Sequence, residues 1–217
     1  MTGCGGCGNV KFDGASRAYK RILWIVIAIN ALMFIVEMSA GVVADSMALK
    51  ADALDFLGDT LTYTITLLVI GQALRWRATA ALFKGISLAA MGVWVLGSTV
   101  YQVMVLGVPD EMVMGVVGLL AFAANVVSAL LLLRFRDGDA NVRSVWLCSR
   151  NDAIGNVAVI IAAAGVFATN TGWPDLVVAA IMASLFLYSA ISIIRQAIGE
   201  LRQPEAALAA ESVEKAM

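Results

Sequence analysis

The 217-residue sequence contains no histidine, and only 14% of it is charged, against roughly 25% in an average globular protein. Without histidine there is no Ser-His-Asp triad, no HExxH zinc site and no imidazole general base. Its three cysteines are an odd number and do not make a disulfide framework. A net charge of −1 with no basic run argues against a nucleic-acid partner. What is abundant is apolar: 61% of residues are hydrophobic and the mean hydropathy is +0.87. So few charges cannot keep a surface wet, so the solvent for most of this chain is lipid.

Charges and turn residues divide the sequence into six apolar stretches, each near the roughly 20 residues a bilayer helix requires. They fall at Arg21–Val43, Ser46–Leu74, Thr79–Gly107, Glu111–Phe135, Val145–Thr169 and Asp175–Ala197. None shows the period-two alternation of a membrane β-barrel. The expected fold is an all-α integral membrane protein with six transmembrane helices over 21–197. It is flanked by a tail over 1–20 and a short tail over 198–217, with Pro204 stopping the sixth helix and no folded C-terminal domain. The first twenty residues are polar and Gly-rich, unlike a cleaved signal.

Lys and Arg alternate with the spans. Lys11, Arg17, Lys20, Arg21, Arg75, Arg77, Arg134, Arg136, Arg143, Arg195 and Arg202 mark one set of ends, whereas Lys50 stands alone on the other beside Asp45, Asp110, Glu111 and Asp175. The positive-inside rule then puts both termini in the cytoplasm. The longest connection is expected over Arg136–Ser144, and Gly172 and Pro174 break the helix before the last span.

The second span carries Asp52, Asp55, Asp59, Thr62 and Thr66, at steps of 3, 4, 3 and 4, which put them on one helical face. Each carboxylate at mid-bilayer costs roughly 2.5–3.5 kcal/mol on insertion scales, and such residues usually face the bundle interior and mark an ion or proton path. The fifth span offers a matching face in Cys148, Asp152 and Asn156, spaced by four. At ~1.5 Å per residue in a ~30 Å core, the Asp55–Asp59 and Cys148–Asp152 pairs reach about the same depth from opposite ends. Residues four apart lie ~5–6 Å apart at Cβ, so two antiparallel helices can present four ligands to one ion.

Three carboxylates and a thiolate suit a four-coordinate divalent ion, and the sulfur moves preference toward Zn²⁺ and Cd²⁺ and away from Mg²⁺ and Ca²⁺. Carboxylates crowded together out of water do not all stay ionised, so protons and metal compete for the same oxygens. That exchange is the physical basis of a metal/proton antiporter. No prosthetic group is implied: the metal is cargo.

Other polar residues have plainer readings. Asp52, nearest the outer interface and next to Lys50, is expected to pair or cap there, with a supporting or proton-path role as the alternative. Asn156 is expected to make an interhelical hydrogen bond. Asn30 and Glu37 in the first span share a face, and Glu37 is either structurally paired or a supporting group or proton relay. Asn125 and Ser128 look like packing polar groups. Cys4-Gly-Gly-Cys7 is an isolated CxxC, either a cytosolic metal-capture site or a nonessential tail.

The segment from Gly41 to Asp59, with Ser46, Ala48, Leu49, Ala51 and Asp52 leading to Asp55-x-x-x-Asp59, resembles the helix-two signature of the cation diffusion facilitators. Cys148-x-x-x-Asp152 is similar to that family's helix-five pattern, with Cys148 where His or Asp is usual. The resemblance covers about residues 20–200. It implies a six-helix divalent-metal/proton antiporter in a bacterial inner membrane, usually a homodimer, with Asp55, Asp59, Cys148 and Asp152 as metal ligands. No counterpart of the family's cytoplasmic metal-binding domain after helix six is expected, so a dimer is expected to form through membrane helices. The leading reading is therefore proton-coupled efflux of Zn²⁺, with Cd²⁺ next, and no enzymatic activity. Two alternatives stand beside it: a non-transporting metal sensor or scaffold, and an intramembrane aspartyl protease. Against the protease, Phe56-Leu-Gly-Asp59 lacks the first Gly of the Gly-x-Gly-Asp motif that resembles that chemistry's signature.

Overall fold

The structure, a computed structural model, describes residues 16–69, 74–105, 107–136 and 140–216. Six helices follow in order: α1 (Arg17–Val43), α2 (Met47–Val69), α3 (Leu74–Val105), α4 (Glu111–Leu132), α5 (Ala140–Thr169) and α6 (Trp173–Ala216), with one 3-10 turn at Leu133–Phe135 after α4. Among the described residues there is no strand. Among the described residues, five helices are long and apolar enough to cross a membrane. The one left out is α2, whose 23 residues include Lys50, Asp52, Asp55 and Asp59.

The ends are set by local chemistry. Ser16 caps α1 by accepting from Tyr19 N at 3.1 Å, and Asp110 caps α4 by accepting from Met112 N and Val113 N, both at 3.0 Å. The tight α1–α2 turn places Asp45 at φ 53°, while Ser46 N bonds Gly41 O at 3.0 Å and Asp45 N bonds Val42 O at 3.4 Å. This is a Schellman-type stop with Asp in the left-handed position that Gly usually fills.

Three expectations need correction. α2 ends at Val69 and Leu74 already belongs to α3. α5 begins at Ala140 rather than Val145, which shortens the expected Arg136–Ser144 connection. Pro204 does not stop the last helix, which continues to Ala216. Proline removes one backbone donor, and the Ala-, Leu- and Glu-rich residues after it have high helix propensity, so the helix continues through it.

The helices run alternately up and down. At one end, Tyr19, Leu23, Tyr63, Leu132 and Val145 join α1, α2, α4 and α5. At the other, Leu49, Met114, Val159 and Val166 join α2, α4 and α5, while Met47, Ala51, Val95, Leu176 and Ala183 join α2 to α3 and α6. Lipid supplies no hydrophobic drive between helices, so close approach depends on small residues. A Cβ on Gly85 would sit 2.6 Å from Ile194 Cγ1, and one on Gly92 would sit 3.0 Å from Leu187 Cγ, so α3 and α6 pack backbone-close. α3 and α6 therefore form a pair that is packed onto α2 at the α1–α2 turn end.

Candidate functional site

A cavity of about 390 Å³ lies where α3 and α6 part from α2 and α5. Asp52, Asp55 and Asp59 enter it from α2, and Cys148 and Asp152 from α5. The 3–4 spacing on α2 and the spacing of four on α5 thus aim all four expected ligands at one space. Asp152 stands close enough to Asp55 and Asp59 for the side chains to interact across the helix pair. Cys148 is a free thiol. Among the described residues, however, no three acidic or thiol groups are already positioned to hold a metal ion. The four line a common cavity and do not form a closed shell, so the expected simultaneous contact of one ion with all of them requires side-chain rotation.

Asp59 is buried, and its Oδ2 accepts a hydrogen bond from the Tyr63 hydroxyl. That hydroxyl also lies 3.3 Å from Ser149 Oγ and 3.4 Å from Val145 O on α5. Tyr63 thereby ties the orientation of Asp59 to the neighbouring helix, as outer-shell partners of metal ligands do. Sequence reasoning passed over Tyr63, although its position four residues after Asp59 continues the polar seam. It also missed Lys84, which lines the cavity from α3. The available signal was a lone charge within the apolar span Ala81–Met104.

A buried polar layer continues from the cavity wall at Asp52. Asp52 is only 2% exposed and does not pair with Lys50, which instead reaches Asp45 at 3.3 Å. The expected interfacial pairing is thus corrected: Asp52, two residues on from Lys50, turns inward, where its carboxyl faces that of Glu37 on α1. Neither Glu37 oxygen makes a hydrogen bond of normal geometry, and Asp52 Oδ2 is likewise without a partner. Asn30 donates to Val26 O at 2.8 Å within its own helix. Asn156 is fully buried with neither amide atom paired, so the expected interhelical bond is not formed. Asn125 and Ser128 are buried on α4. Cys4 and Cys7 lie outside the described residues.

A model of the cation efflux transmembrane domain matches residues 23–202, well over half of the chain. The chain belongs to the cation efflux, or cation diffusion facilitator, family. As a cation efflux chain it is an integral membrane protein of a family of transporters, not enzymes, and the aspartyl protease reading falls away. It is 26% identical over 175 residues to the metal cation efflux system protein CzcD of Cupriavidus metallidurans, covering 75% of this chain and 55% of that protein. It is 22% identical over 206 residues to a cadmium, cobalt and zinc/H(+)-K(+) antiporter of Bacillus velezensis, covering 87% and 65%. It is 28% identical over 199 residues to the zinc transporter ZitB of Pectobacterium atrosepticum, covering 84% and 61%. The chain therefore spans about 55% to 65% of the length of these cation efflux relatives.

Proposed function

We propose that this cation efflux chain moves divalent transition-metal ions out of the cytoplasm in exchange for protons, Zn²⁺ foremost and Cd²⁺ next. Asp55, Asp59, Cys148 and Asp152 are the ligands of the cargo. The observation that carries this reading is the convergence of three carboxylates and a thiol from α2 and α5 on one intramembrane cavity. Oxygen and sulfur donors together favour borderline and soft ions, and the relatives whose names mention zinc and cadmium point the same way.

The packing supports alternating access. At the α1–α2 turn end, α3 and α6 are sealed onto α2 by apolar contacts, and Asp175 on α6 binds the start of α2. The cavity lies beyond that seal, and Ile65, Cys148 and Ile193 on its wall lie toward the opposite, Arg-rich end of the bundle. With both termini cytoplasmic, this is the state that loads cargo from the cytoplasm. Rocking α3 and α6 against α2 and α5 exchanges the sealed and open ends. Protons occupy the carboxylates whenever metal leaves, so the return step carries hydrogen ions. The buried layer of Asp52, Glu37, Asn30 and Asn156 lies next to the ligands and offers the proton route. The working unit is a homodimer joined through membrane helices, in a bacterial inner membrane.

Proteoliposome flux tests the reading. Vesicles with an imposed pH gradient take up Zn²⁺ through the wild type, and a folded Asp59→Ala protein takes up none. Undiminished uptake by Asp59→Ala rejects the ligand assignment. Tight metal binding in detergent without any flux would instead favour a sensor or scaffold.

A further inference from the structure

We infer that Lys84 is a tethered cation of the cargo cavity, weakening metal binding so that the metal can leave. This rests on the reading of Asp55, Asp59, Cys148 and Asp152 as cargo ligands, and adds a residue that sets how tightly they hold.

The placement carries the argument. Between Ala81 and Met104, Lys84 is the single charged residue, and a charge at that depth is expensive unless it serves an ion path or meets a partner. Its helix neighbours divide by face. Phe83 and Ile86 point outward, 59% and 55% exposed, and Gly85 is pressed against Ile194 of α6. Lys84 shares the cavity wall with Ser87, Leu88 and Met91. A lysine that only snorkelled to the interface would leave from the lipid side; this one lines the cavity. A structural lysine would have an ion pair, yet the single salt bridge among the described residues is Lys50–Asp45. It instead shares the cavity with Asp55, Asp59 and Cys148. The ionisable groups around it are Asp52, Asp55 and Asp59 on α2 and Cys148 and Asp152 on α5. The α6 wall contributes Met182, Leu185, Phe186, Ser189 and Ile193, none of them charged.

An ammonium on a flexible four-carbon stem suits this task. Without metal it lends positive charge to a crowded acidic cavity. When a divalent ion enters, the two cations repel, and either the stem swings aside or the metal is held less tightly. Transport requires binding that is favourable enough to enter and weak enough to leave. A set of three carboxylates and a thiol risks holding Zn²⁺ too well, and a nearby fixed positive charge offsets that.

The test compares Zn²⁺ and Cd²⁺ binding by equilibrium dialysis, and proteoliposome flux, for wild type, Lys84→Met and Lys84→Arg. Lys84→Met should bind metal about tenfold tighter, the scale of one removed like charge at partial screening. Its flux should show a lower KM together with a lower maximal rate, because release slows. Lys84→Arg, with its charge kept, should stay within about twofold of wild type. Equal or weaker binding by Lys84→Met, or tightening by Lys84→Arg as well, overturns the inference while leaving the ligand assignment intact. Wild-type protein that binds no metal removes the ligand assignment itself, and this inference with it.

Discussion

The carboxylate of Asp175, in the first turn of α6, caps the start of α2 across a sequence separation of 129 residues: its Oδ1 accepts from Ser46 Oγ at 2.6 Å. The same carboxylate accepts from Met47 N at 2.7 Å and Ala48 N at 3.0 Å, so it satisfies orphan donors that a helix normally caps from its own chain. Ser46 Oγ in turn accepts from Leu49 N at 3.1 Å. The helix that carries the carboxylate seam is thus fastened to α6 at its sealed end. Asp175→Ala should lower the stability of the protein in detergent by about 2 kcal/mol, a drop in thermal midpoint of about 4–8 °C for a chain of this size. A midpoint within about 1 °C of wild type in a thermal-shift assay would show that the cap is not needed.

Tyr63 hydrogen-bonds Asp59 without itself lining the cavity. Tyr63→Phe keeps the ring in its apolar cluster but removes the hydroxyl that orients the Asp59 carboxylate. Zn²⁺ affinity should fall by about 10–100-fold, the usual loss when an outer-shell partner is removed, while the thermal midpoint stays close to wild type. Isothermal titration separates the two effects, and unchanged affinity would mean that Asp59 is oriented by packing alone.

Sulfur should govern the choice of ion. Exchanging the thiol for a fourth carboxylate, Cys148→Asp, should reduce the Cd²⁺-to-Zn²⁺ flux ratio by about tenfold, equivalent to about 1.4 kcal/mol of preference. Side-by-side flux of Zn²⁺, Cd²⁺, Co²⁺ and Mn²⁺ provides the measurement. A ratio equal to that of wild type would place selectivity elsewhere in the cavity.

Two glycines on α3 should respond in opposite directions. Gly85→Ala drives a methyl to within 2.6 Å of Ile194 Cγ1 and 3.3 Å of Ile194 N, an overpacking that costs about 1–3 kcal/mol, against a helix-propensity gain of about 1 kcal/mol. At Gly97 nothing lies within 4 Å of the added carbon, so Gly97→Ala retains only the gain. Thermal unfolding in detergent should move down for the first and up for the second. A downward shift at both positions would indicate that α3 packs differently from the arrangement described.

What the amino-acid sequence determined by itself is local and periodic. Long apolar runs with few charges must be helices in lipid, because no other open structure satisfies the backbone there. The 3–4 steps from Asp52 to Thr66 and the step of four from Cys148 to Asp152 assign those residues to faces of α2 and α5, because the α-helical repeat is a property of one chain segment. Both features were legible, and so was the family.

What tertiary structure decided is the rotation and partner of each helix. Nothing local tells whether Asp52 turns toward Lys50 beside it or toward Glu37 on α1, and packing chose Glu37. Nor does an isolated Lys84 announce whether it faces lipid, interface or cavity: the close fit of Gly85 and Gly92 against α6 sets the roll of α3 and points the lysine inward. Asp175 reads as a first-turn acid of its own helix, yet it caps another. For Asp175 the energy that matters, satisfying backbone donors away from water, could be met by several partners, and for Asp52 and Lys84 several directions were open along one helix; only the three-dimensional packing of the helices selects among them.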